Sequence, residues 1–287
     1  MNVGAIFSSL NVKDIARIRI PKPPISEQRA IAEVLSALDD KIAGNRKTIE
    51  TLDEMFMARW QVVLESELTP GATLEALIEE SIGGDWGTEH LSLNNSERVR
   101  CIRGADIANL QTYQPAKMPE RFLKPSSLNR RKTRHGDIAV EMSGGSPTQS
   151  TGRAAFISDQ LLKSIDSPIV SSNFCRVLRL ADQSYALAVY AQLRQDWIRG
   201  EFFQYENGST GIKNLAFKEY AARLHMPNMS RGVLEAFNDH AEDLFNVAAS
   251  LGDENRTLAV TRDALLPQLM SGKLRVRDAE MVVEAVV

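Results

Sequence analysis

The sequence holds little that could do chemistry. Its two cysteines, Cys101 and Cys175, form no Cys-x-x-Cys pair, and its four histidines are scattered. That spacing argues against a zinc site and fits a reducing cytoplasm, with both thiols serving as small buried hydrophobes. No run of about eighteen apolar residues occurs, and Met1 is not followed by a basic-then-apolar leader, so neither membrane insertion nor secretion is expected. The glycine patterns of dinucleotide and P-loop sites are missing, as are His-Glu-x-x-His and Gly-x-Ser-x-Gly. Gly144-Gly145-Ser146 imitates a phosphate loop without its lysine or following helix, and no Asn-Pro-Pro-Tyr-like segment is present. Asp137-Ile-Ala-Val-Glu141-Met-Ser143 approaches the paired acids that hold Mg²⁺ for phosphodiester cleavage, but Ser143 stands where lysine is needed. A Gly-Asp turn opening a buried strand explains it better. The expectation is a chain with no catalytic residues, no metal and no cofactor; a nuclease built on Asp137 and Glu141 is the weaker alternative.

What the chain does have is a segment that occurs twice. Leu10-Asn-Val-Lys-Asp-Ile-Ala-Arg-Ile-Arg-Ile-Pro21 returns, with one insertion, as Leu215-Ala-Phe-Lys-Glu-Tyr-Ala-Ala-Arg-Leu-His-Met-Pro227. Each copy leads through a serine, Ser26 or Ser230, into a long helical pattern. The spacing of about 205 residues suits a duplicated domain rather than a solenoid unit. Little chain precedes the first copy, so residues 1–25 read as a leader or the tail of an otherwise missing domain.

Both helical patterns carry heptad seams. In 26–65, Ile31, Leu35, Leu38, Ile42, Ile49, Leu52, Phe56 and Val63 alternate in steps of three and four, with Asn45 in one core slot. In 230–270, Leu234, Phe237, Ala241, Leu244, Ala248, Leu251, Leu258, Arg262, Leu265 and Leu269 do likewise, with Asn255 in the core row. Paired antiparallel, Ile31 meets Leu269, Ile42 meets Leu258, and Asn45 meets Asn255. A buried Asn pair would specify register at some cost in stability. Such a rod would be roughly 55–60 Å long. Pairing between two chains, or two core helices of an ordinary globular fold, would give the same periodicity.

Between the helices, residues 66–229 change texture to short runs punctuated by Gly, Pro, Ser and Asn. Strands are expected over 99–102, 136–142, 154–157, 169–170 and 174–180, and a helix over 186–203. The fold class is therefore α+β: one globular domain flanked by two long helices forming an antiparallel coiled coil, with 271–287 as a tail. Net charge is −3, yet the segment from Arg98 to Arg134 is densely basic. A basic stretch on a non-basic scaffold suits phosphate contact, and a solvated charged loop would look the same. Arg100, Arg103, Arg130, Arg131, Lys132, Arg134, Arg153 and Lys213 form the pool for phosphates. Thr148, Gln149, Asn207, Ser209 and Thr210, on two small polar loops, are candidates for reading base edges, or are simply loop-capping polar groups.

Residues 20–42, beginning Ile20-Pro-Lys-Pro-Pro-Ile-Ser-Glu-Gln-Arg, resemble the conserved-region helix of specificity subunits of type I restriction–modification systems. Asp263-Ala-Leu-Leu-Pro-Gln-Leu-Met-Ser-Gly-Lys-Leu274 resembles the end of their second conserved helix. Ile102-Arg-Gly-Ala-Asp106, Gly136-Asp-Ile138, Ser171-Ser-Asn173 and Gly211-Ile-Lys-Asn-Leu215 resemble recurring points of a target recognition domain. The resemblance implies a cytoplasmic, non-catalytic subunit that reads double-stranded DNA. It also implies docking of methyltransferase subunits, which bind S-adenosylmethionine, and recruitment of motor–nuclease subunits. The family usually has two recognition domains on one coil; this sequence has one. A homodimer would then read an inverted repeat. A coiled-coil scaffold that has lost DNA reading is the other alternative.

Overall fold

The computed structural model describes residues 11–18, 22–114, 116–146, 148–208 and 212–284. The chain divides into two compact units, 1–44 with 255–287, and 45–254.

The first unit is helical. Pro23 and Pro24 cannot continue a helix, and the first long helix, Ile25–Ser66, starts directly after them. Its opening turns bury Ile31, Val34, Leu38 and Ile42 in one cluster with Leu258, Leu265 and Leu269, from the closing turns of the second long helix, Arg231–Met270. All but Val34 are expected seam residues, and the expected Leu35 is only partly buried beside them. Arg262 reaches back to Asp39 at 2.6 Å, as antiparallel helices in the expected register require. Gly272, left-handed at φ +70°, ends the second helix, and its N–H donates to the Leu269 carbonyl at 3.0 Å. The segment read as a tail then forms a helix, Val276–Glu284, whose Ala279 and Val283 join the same cluster.

In the leader, Asn11 caps the short helix Val12–Ala16 through a capping box with Asp14. The repeat of this segment folds alike, as the helix Phe217–Arg223 in the second unit. The environments differ. Phe217 and Tyr220 are buried, whereas Val12, Ile15 and Ile18 are exposed.

The second unit is mixed helix and sheet. Its main sheet runs Ile78–Gly83, Cys175–Leu180, Ile138–Glu141, Ala154–Phe156, antiparallel throughout. A second sheet pairs Glu97–Ile102 antiparallel with Glu120–Leu123 and parallel with Ile169–Ser171. Chain entry and exit pair with each other, Pro70 opposite Pro227, so the domain closes at its neck. The helix Ala186–Ile198 is shorter than expected because Gly200 turns left-handed (φ +75°) and a 3-10 turn, Glu201–Tyr205, follows. That helix is buried nearly all round, between the sheet and the long helices. Phe56 and Trp60 of the first helix and Phe237 of the second share one core with Leu187, Tyr190 and Leu193.

Polar contacts fix the same junction. The Trp60 indole donates to Gln192 (3.1 Å), Gln192 donates to Asp196 (2.9 Å), and the Tyr220 hydroxyl donates to Asp196 (2.6 Å). Burial pushes the Asp196 carboxyl up, against the pull of the Tyr220 and Gln192 hydrogen bonds. Arg194 forks onto Asp53, one bond at 2.7 Å. Here, then, the helices are not a free two-stranded rod. Within this unit the buried Asn45 amide donates to Glu254 at 2.9 Å, whereas Asn255 belongs to the first unit.

Candidate nucleic-acid interface

Three chain segments meet at one end of the main sheet. The first is the turn after Ile169–Ser171: Ser172 N–H donates to the Ile102 carbonyl (2.8 Å) and Cys175 N–H to the Ser172 carbonyl (2.9 Å). This tight turn holds Asn173 and Phe174 out on its tip, exposed. The second is the glycine-rich loop after Glu141. Met142 and Ser143 both donate their N–H groups to the Phe174 carbonyl, at 2.8 and 3.1 Å. The third is a small sheet, Glu206–Asn207, Lys213–Leu215, Ser143–Gly144, which brings the two polar loops of the sequence side by side.

Charge inside this construction is neutralised locally. Glu141, buried, takes a two-pronged hydrogen bond from Arg153 at 2.9 and 3.0 Å. A Cβ at Gly104 would stand 2.3 Å from a Glu141 oxygen, and one at Gly144 2.8 Å, so both glycine backbones rest directly on that carboxylate. Arg103 forks onto Asp106 in the same way, at 2.9 and 3.0 Å. Burial alone would raise Asp106; the Arg103 fork and the N–H groups of Arg103 and Met118 outweigh it and hold the carboxyl below its ordinary value. Lys213 bridges Glu206 (2.7 Å) and the Ser146 carbonyl (3.0 Å), and Glu206 also accepts from the Thr151 N–H at 2.7 Å. Against burial, these bonds keep Glu206 low. Arg103, Arg153 and Lys213, all in the expected phosphate pool, are thus tied into ion pairs that shape the loops.

The remaining members of that pool divide. Arg100 lies 3.9 Å from Asp166. Arg131 donates to the Gly83 carbonyl (3.1 Å) and to Ser127 (3.0 Å), holding its helix, Pro125–Arg131, to the sheet edge. Arg130, Lys132 and Arg134 are exposed beside it. Among the base-reading candidates, Thr148 and Asn207 are exposed and Gln149 is half-buried. Ser209 and Thr210 lie outside the described residues.

Several residues on this face were not among the expected site residues. Trp86, Phe174 and Ile212 bound a cavity of about 480 Å³ with Arg103, Ser143 and Asn173. Next to it, Asn173, Arg176, Asn214 and Lys218 line a shallower groove of about 760 Å³. Asn173, Ile212, Asn214 and Lys218 stood in quoted segments without a site role, whereas Trp86, Phe174 and Arg176 stood in none. They sit on unrelated stretches, and their grouping depends on the strand pairing.

The acids considered for metal catalysis have other work. Asp137 is fully buried and bonded by Arg179 (3.0 and 2.9 Å) and by the Arg134 N–H (2.8 Å), while Glu141 is held by Arg153. Among the described residues no group of three or more His, Cys, Asp or Glu is placed to hold a metal ion, and no helix is long and apolar enough to cross a membrane. Burial pushes both thiols up, to about 12, so they behave as hydrophobes.

One mixed domain with two long helices is a fold this chain shares with a solved specificity subunit. Residues 1–54 match the type I restriction modification DNA specificity domain family. A stretch of 51 residues is 45% identical to a putative type I restriction enzyme MjaX specificity subunit of Methanocaldococcus jannaschii, covering 18% of this chain and 12% of that one. The S subunit of a type I restriction-modification system from M. genitalium superposes with a TM-score of 0.52 at 15% identity, over 85% of this chain and 61% of that one. The HsdS subunit of Thermoanaerobacter tengcongensis aligns over 94% of this chain and 65% of its own, at 14% identity and a TM-score of 0.37. The chain therefore spans less than two thirds of these relatives. The resemblance to type I specificity subunits, read from the helix motifs, is borne out, and so is the mixed fold with its long helices.

Proposed function

We propose that this chain is the non-catalytic DNA-reading subunit of a type I restriction–modification complex. Its mixed domain reads one half of a target site in double-stranded DNA. Its long helices dock methyltransferase subunits, which bring S-adenosylmethionine, and motor–nuclease subunits complete the assembly. The observation that carries this reading is the face built from the 172–175 turn, the glycine-rich loop and the small sheet. It presents exposed Asn173, Asn214, Arg176 and Lys218, amides for base edges and cations for phosphates, on backbone that is hydrogen-bonded in place. Fixed donors of this kind discriminate sequence because a wrong base leaves them unpaired.

The test uses the full chain mixed with the methyltransferase subunit of its own system. Co-elution of the two, with duplex binding that weakens steeply between about 50 and 200 mM salt, is the expected result. Co-elution without any DNA binding would instead make the chain a scaffold.

A further inference from the structure

The cavity between Trp86, Phe174 and Ile212 is unlike the rest of this face. Phe174 and Ile212 are 53% and 56% exposed, so their apolar surface adds little to the core. Ala105 and the backbones of Gly104 and Gly144 complete the wall. The two charged groups that line it, Arg103 and Glu141, are each already neutralised, by Asp106 and Arg153. Such a cavity has no unpaired charge to offer an anion and favours a neutral, apolar guest. Around it the groove carries Arg176 and Lys218, cations suited to the backbone of a nucleic acid. On the major-groove edge of duplex DNA the apolar group is the C5-methyl of thymine.

We infer that this cavity is a pocket for the methylated C5 edge of a pyrimidine, thymine or 5-methylcytosine, at one position of the half-site. The Phe174 ring and Ile212 side chain pack against the methyl, and the adjacent Asn173 amide is placed to bond a base edge beside it. The inference rests on the DNA-reading function proposed above.

The half-site is first selected from a randomised duplex library by the full chain with its methyltransferase subunit. Each thymine is then replaced singly by uracil, and each cytosine by 5-methylcytosine. One position is expected to lose about four-fold in affinity when its methyl is removed, or to gain about as much when one is added, the factor for one buried methylene. Phe174→Ala should erase that difference between methylated and methyl-free duplexes. Ile212→Ala, on a different segment, should reduce it. A selected half-site with no methyl dependence at any position overturns the inference and leaves the DNA-reading function standing. So does a dependence that both variants retain, which would put the methyl contact elsewhere. If no sequence is selected, the proposed function fails and the pocket assignment with it.

Discussion

At the residue scale, the arginines divide by what they face. Arg103 and Arg153 looked like phosphate contacts because they are basic and sit in loops, yet each grips a buried carboxylate. For Arg103 the partner, Asp106, stands three residues on at the start of a helix and was legible in principle. For Lys213 the partner is Glu206, visible only once the short hairpin between them is formed. Arg194 and Asp53 lie far apart in sequence, and their pairing could not be read without the fold. That pair joins the domain to the first long helix in a largely buried setting. Asp53→Ala should lower stability by about 3 kcal/mol, because it strands a buried guanidinium; urea unfolding of the full chain measures it. The acids give a pH prediction. Asp106 and Glu206 have folded values below their unfolded ones, so their contribution is present above about pH 4 and is lost as pH falls through the folded values. Unfolding midpoints should therefore drop on acidification below about pH 4, and Asp106→Asn should flatten part of that slope. A midpoint with equal acid dependence in both proteins would count against the Arg103–Asp106 fork.

At the scale of elements, the long helices were the most legible part of the chain, because a heptad seam repeats many times and tolerates local noise. Their buried rows in the first unit match the expected ones except that Val34 is buried and Leu35 only partly so. What the periodicity hid was the third party: Ala186–Ile198 packs into the same core as Phe56 and Phe237. The helix Val276–Glu284 was missed because nine residues give too few turns for a period to stand out. Close approach is also invisible to periodicity. Gly252 lies inside the second long helix, where glycine normally weakens a helix, but a Cβ there would stand 2.8 Å from the Tyr113 carbonyl oxygen and Cβ. Gly252→Ala should thus destabilise by about 1–3 kcal/mol rather than stabilise by about 1, and thermal unfolding gives the sign. Asn45→Leu should raise the melting temperature, since it replaces a buried amide by a core hydrophobe in a helix seam.

At the scale of the whole molecule, the proposed function assigns one half-site to the one mixed domain. The two copies of the leader segment show the asymmetry: the helix Phe217–Arg223 is covered by its domain, whereas Val12, Ile15 and Ile18 present an apolar row to solvent. A second copy of the chain would double the reading and give an inverted-repeat target; light scattering at about 64 kDa, twice the 31.9 kDa of one chain, is the mass that reading expects. The most direct test of the account is the salt dependence of duplex binding by the wild-type chain and by the Arg176→Ala, Lys218→Ala double variant, each with the methyltransferase subunit. The account predicts that the double variant binds more weakly on every sequence, with a log–log salt slope shallower by about two. Identical slopes and affinities for the two proteins would contradict it, and would remove this face from the DNA interface.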